Sequence, residues 1–182
     1  MPLQFTTSYL EDSIALFRYY KQLAERAIAQ VTEEQMHAFL DEEANSIAIV
    51  MQHMAGNMRS RWTDLLTSDG EKPWRDRDSE FAAPPQTRNA MMELWEDGWT
   101  CLFQSLTSLC EADLTRKLTI RGEPHSVMQA INRQMAHYGY HCGQIVLLAK
   151  HFQHESWQPL TVPKGKSAEF NATVRAGEAS QR

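Results

Sequence analysis

A chain of 182 residues with 42% hydrophobic and 23% charged side chains carries enough apolar surface for one buried core. Its formal charge of −5 and pI near 5.8 argue against a nucleic-acid partner, because each basic spot is interrupted by acids, as in Arg75-Asp76-Arg77-Asp78. Cys101, Cys110 and Cys142 form no CxxC pair, and no run approaches the roughly 20 apolar residues that cross a bilayer, so neither a disulfide scaffold nor a membrane protein is expected.

Met1 to Tyr9 lacks a basic stretch followed by an apolar run, which makes a secretion signal unexpected and a cytoplasmic location the expectation. From about Thr7 to Gln30, Leu10, Ile14, Phe17, Leu23, Ala24 and Ile28 are spaced for one apolar helix stripe, with Thr6, Thr7 and Ser8 as capping hydroxyls. Acid-rich Thr32 to Glu43 reads as a connection or a short helix. A second long helix is predicted from Asn45 or Ser46 to about Ser68, with Ile49, Val50, His53, Met54, Leu65 and Leu66 inward.

Asp69 to Gln86 is polar and contains Pro73, Pro84 and Pro85, a length that suits a crossover rather than a tight helix hairpin. Within it, Trp74 to Asp78 reads as a solvated, ion-paired stretch, with a cover over a pocket as the alternative. A third helix is predicted from about Thr87 to Cys110, and a short extended segment within Leu114 to Glu123. The fourth helix uses Ser126 as its cap and reaches about Phe152. Glu155 to Arg182 reads as loop and tail, with 175–182 flexible. The expectation is one all-α domain spanning 1–182.

The chemistry-bearing residues are histidines. His137 and His141 are separated by about 40° on a helix wheel, on a face shared with apolar Ala130 and Leu148. Imidazoles on a buried face need partners, and a shared divalent metal supplies them at once. Hydrogen bonds to backbone carbonyls or hydroxyls of a facing helix are the alternative. His53, in the middle of the second helix, completes a three-nitrogen set. His125 and His151 lie about 18 and 15 Å along the helix from the pair at the usual rise, and with His154 and His37 they read as structural or surface residues.

Asn57 and Ser60 share the His53 helix face, and Gln134 and Gln144 flank the pair, as candidates to orient a ligand or substrate. Cys142 sits about 100° from the ligand direction and reads as a small packed hydrophobe. Tyr138 after the first histidine rules out the HExxH protease motif, and Leu160 stands where a phosphate loop ending Gly165-Lys166-Ser167 needs its first glycine.

These features together resemble the DinB-like superfamily of bacterial helical proteins, which includes YfiT-type thiol transferases. The resemblance rests on Gln52-His53-Met54 and His137-Tyr138-Gly139-Tyr140-His141-Cys142-Gly143-Gln144-Ile145. Asn57-Met58-Arg59-Ser60-Arg61-Trp62, Ser68 to Trp74 and Pro163 to Asn171 are similar to one uncharacterised branch of it. It implies an up-down-down-up four-helix bundle with a long crossover between helices 2 and 3, a homodimer, and a divalent metal held by His53, His137 and His141. Zinc or nickel is the first expectation for that metal, with iron or manganese next. Characterised relatives transfer small thiols such as bacillithiol or mycothiol, or use one in isomerisation. The implied function is therefore a metal-dependent S-transferase activating a small thiol. A non-catalytic, metal-stabilised dimeric binding or stress-related protein is the alternative.

Overall fold

A computed structural model describes residues 8–179 of the chain. Thr6, Thr7 and 180–182 lie outside the described residues. The chain is mostly helical: α1 (Tyr9–Ile28), α2 (Glu33–His37), α3 (Ile47–Trp62), α4 (Arg88–Thr107), α5 (Val127–Gln153) and α6 (Ser167–Arg175). One antiparallel hairpin is added, β1 (Lys117–Ile120) paired with β2 (Glu123–Ser126). Among the described residues, no helix is long and apolar enough to cross a membrane.

Helix starts follow the capping residues. Ser8, Ser46, Thr87 and Ser126 each accept a backbone N–H of the first turn, and Ser126 forms a reciprocal box with Gln129. Helix ends depart further from expectation. α3 stops at Trp62 rather than near Ser68, because Asp64 adopts φ +49° and its carbonyl accepts the Thr67 and Ser68 N–H groups at 3.0 Å. That turn competes with helix continuation while leaving Leu65 buried. α4 stops at Thr107, and Cys110 opens a 3-10 turn in which the Asp113 carboxylate accepts the Cys110 N–H at 2.9 Å. The segment read as loop after Glu155 contains α6, which buries none of its residues.

Four long helices pack together, α1 against α5 and α3 against α4, with α3–α5 and α1–α4 contacts closing the arrangement. One ring from each helix meets in the centre. Phe17 lies 6.1 Å from Trp62 and 5.8 Å from Tyr138, and Tyr138 lies 5.9 Å from Trp99. Such offset and edge contacts add about 0.5–1.5 kcal/mol each beyond area burial. α3 and α4 approach so closely that a Cβ at Gly98 would sit 2.8 Å from Ala55 Cα. This aromatic layer fixes α3 and α5 at the spacing that brings their histidines face to face.

Candidate metal centre

His53 projects from α3, and His137 and His141 from α5. Their ligand nitrogens all lie within 4.8 Å of one another. His137 Nε2 is 3.3 Å from His53 Nε2 and 3.1 Å from His141 Nε2. His53 is 4% exposed and the other two are half-buried.

The outer nitrogens of two rings are pinned. His53 Nδ1 lies 2.9 Å from Glu80 Oε2, and a carboxylate can only accept, so Nδ1 carries the proton. His141 Nδ1 lies 2.7 Å from Gln144 Oε1, whose amide nitrogen donates to Tyr140 Oη at 3.1 Å. As neutral imidazoles, both rings turn an Nε2 lone pair inward. At most one proton, on His137, is left to serve two short N···N contacts. At least one contact is then poorly satisfied unless a cation takes its place. His137 Nδ1 is buried without a partner among the described residues.

The donor set fits a divalent transition metal. Nitrogens about 2.05 Å from a tetrahedral ion are about 3.3 Å apart, close to the two separations from His137 Nε2 to His53 and His141. Neutral imidazoles are required, and the surroundings of His137 and His141 favour that form. Burial, then the neighbouring His141 and His53 rings, lower the His137 pKa to about 3. Burial lowers that of His141 as well, against the opposing effect of the hydrogen bond it donates to Gln144 Oε1. The three histidines could hold a metal ion.

Glu80 has no counterpart among the expected site residues. It lies in a 3-10 turn, Ser79–Phe81, within the crossover between α3 and α4, and is buried. Arg75 grips it with two bonds, Nε to Oε1 at 2.7 Å and Nη2 to Oε2 at 2.8 Å. Burial opposes ionisation of Glu80, but the His53 and Arg75 hydrogen bonds outweigh it and hold the carboxyl below its ordinary range. Phe81 covers the His53 ring at 4.7 Å, and Arg77 lies 4.9 Å over Phe81. A Cβ at Gly56 would overlap the Glu80 carboxylate. Within the stretch read as solvated and ion-paired, Trp74, Asp76, Arg77 and Asp78 are exposed, while the paired Arg75 side chain, only 2% exposed, is folded onto the centre. No periodic pattern marks these residues; the one cue is alternating Arg and Asp ahead of Glu80.

The other candidates divide. Asn57 Oδ1 accepts from Gln134 Nε2 at 2.6 Å and from Tyr138 Oη at 3.0 Å, and both amides line a cavity of about 340 Å³ beside His53 and His137. Gln144 orients His141. Ser60 instead holds the start of the crossover, donating to Gly70 O at 2.8 Å and accepting Lys72 N–H at 3.2 Å. Cys142 is buried, and burial pushes its thiol up to about 12. His37 and His125 bond to backbone carbonyls, and His151 and His154 stand at the end of α5, all away from the centre.

A family model described as "Protein of unknown function (DUF1572)" matches residues 4–166. The chain belongs to this family. The DUF1572 match spans all three histidines and Glu80 and ends just before α6. No curated protein and no solved structure matches the chain.

Proposed function

We propose that the chain is a DinB-like four-helix bundle of up-down-down-up course that binds one divalent metal through His53, His137 and His141 and activates a small thiol for transfer. The observation that carries this reading is the convergence of three Nε2 atoms, two of them fixed as lone-pair donors by Glu80 and Gln144. Three neutral ligands leave room for a guest, the pattern of a catalytic rather than a structural site. A divalent ion bound there would lower the pKa of an entering thiol toward neutrality.

The chain's own groups supply the remainder. Glu80, backed by Arg75, holds the His53 ring, and Gln144, backed by Tyr140, holds the His141 ring. Such partners typically contribute ten- to a hundred-fold in metal affinity, roughly speaking. Phe81 shields one flank of the cluster from water. Asn57 and Gln134 offer amide groups to a molecule in the adjoining cavity. Cys142 plays no part as a nucleophile, being a buried, protonated thiol. Zinc or nickel heads the metals that imidazole suits, with iron or manganese next, and the assembly expected is a homodimer.

The test couples metal content to turnover. Zinc- or nickel-loaded protein is mixed with a small thiol and monobromobimane, in which sulfur forms a bond to carbon as bromide leaves. Acceleration over the spontaneous reaction that vanishes on chelation and in His53→Ala or His141→Ala supports the transferase. Stoichiometric metal with no acceleration across a thiol panel would show that the ion only ties α3 to α5.

A further inference from the structure

The cavity beside the histidines has an unusual charge for a chain that is net negative. Arg61, Arg75, Arg77, Arg121 and Arg133 line it, and no carboxylate does. Glu71 lies behind this wall and pairs with Arg61 at 3.0 Å, Arg121 at 2.9 Å and Arg75 at 3.4 Å. Glu80 pairs with Arg75. Five guanidinium groups against two carboxylates leave a surplus of three positive charges. Arg77 and Arg133 make no ion pair among the described residues, and buried Arg61 Nε has no hydrogen-bond partner there.

Four separate elements deliver this surplus to one place: α3, the crossover, the hairpin and α5. Asp69 fastens the hairpin tip by accepting the Arg121 and Gly122 N–H groups at 2.8 Å, which holds Arg121 against Glu71. Keeping like charges together costs stability, so the arrangement calls for a counter-charge. Guanidinium forks match the oxygens of carboxylates and phosphates in pairs. A volume of about 340 Å³ admits a small molecule and not a polymer groove.

We propose that this arginine-lined cavity binds a small molecule bearing two or more anionic oxygen groups, carboxylate or phosphate, with Arg77 and Arg133 as the unpaired receptors. The anion would anchor a substrate whose reactive end reaches the histidines, and in this respect the inference rests on reading them as the reacting centre. Recognition of the anion itself needs only the arginines.

Calorimetric titration of the full-length protein with succinate, inorganic phosphate and the neutral diamide succinamide, at fixed ionic strength, tests it. Wild type is expected to bind succinate or phosphate and not succinamide, and the relative affinities tell carboxylate from phosphate recognition. Arg77→Gln and Arg133→Gln should each weaken binding by about tenfold, the scale of one lost charge-assisted hydrogen bond. Arg26→Gln, on the outer surface of α1, should leave it unchanged. Anion binding that persists in metal-free His137→Ala shows that the arginines act without the ion. Binding of succinamide as tight as succinate, no binding of either anion, or equal loss in Arg26→Gln overturns the proposal. A wild-type protein that holds metal yet binds no anion overturns this inference and leaves the metal reading standing.

Discussion

The proton on His53 Nδ1 decides which nitrogen faces its partners, and Glu80 decides the proton. Glu80→Gln keeps the shape but can present either an oxygen or an NH₂ group to the ring, so metal affinity should fall by about ten- to a hundred-fold in a competitive chelator titration. Unchanged affinity would make Glu80 a packing residue only. Asp69 offers a pH test away from the ligands. Burial opposes its ionisation, but N–H groups of Glu71, Gly122 and Arg121 outweigh that and hold it well below the ordinary 3.8. A depressed folded pKa stabilises above the unfolded value and is lost as pH falls below it. Asp69→Ala should therefore cost about 1 kcal/mol at pH 7 in denaturant melts, a small figure because the group is solvent-screened, with the gap closing below about pH 4. Buried Cys142 should resist iodoacetamide in the native protein while exposed Cys110 reacts, as read by mass spectrometry. At this scale the histidines were legible because a four-residue spacing on an apolar helix face is a geometric statement. Glu80 and Arg75 were not, since their burial depends on how a proline-containing connection folds back.

Elements obey the same division. Helices with capping hydroxyls and apolar stripes declare their starts, and Ser126 and Ser46 do so within a residue. Their ends rest on local competition, at Asp64 for α3 and at Cys110 for α4, which hydrophobic periodicity does not register. The short extended segment read within Leu114 to Glu123 contains β1, whereas its partner β2 and the hairpin's role, pinning the crossover through Asp69, depend on contacts the local pattern does not carry. α6 is short, buries none of its residues and starts without a side-chain cap, so no start signal announced it. Gly98→Ala tests how α3 meets α4. The added methyl meets backbone at Ala55 and Met58 Cε at 3.1 Å, so a loss of about 1–3 kcal/mol is expected in chemical denaturation. A neutral or stabilising result would mean the two helices are further apart than described. Gly56→Ala, by contrast, should displace Glu80 and act on metal affinity.

For the molecule as a whole, the centre joins α3 to α5 across a core already set by Phe17, Trp62, Trp99 and Tyr138. A ligand present at about a thousandfold its Kd stabilises by about 4 kcal/mol, and at this chain length that corresponds to a Tm shift of about 10 °C. Chelation should lower Tm by that order in scanning calorimetry, while the helical signal at 25 °C persists because the aromatic core does not need the ion. Collapse of the helical signal on chelation would instead make the metal a folding requirement. The measurement closest to the central claim is elemental analysis of wild-type protein beside His137→Ala, both purified without chelator. About one divalent ion per chain in wild type and next to none in the variant is the expected result. Little metal in wild type after zinc and nickel have been offered, or equal metal in both proteins, contradicts the account.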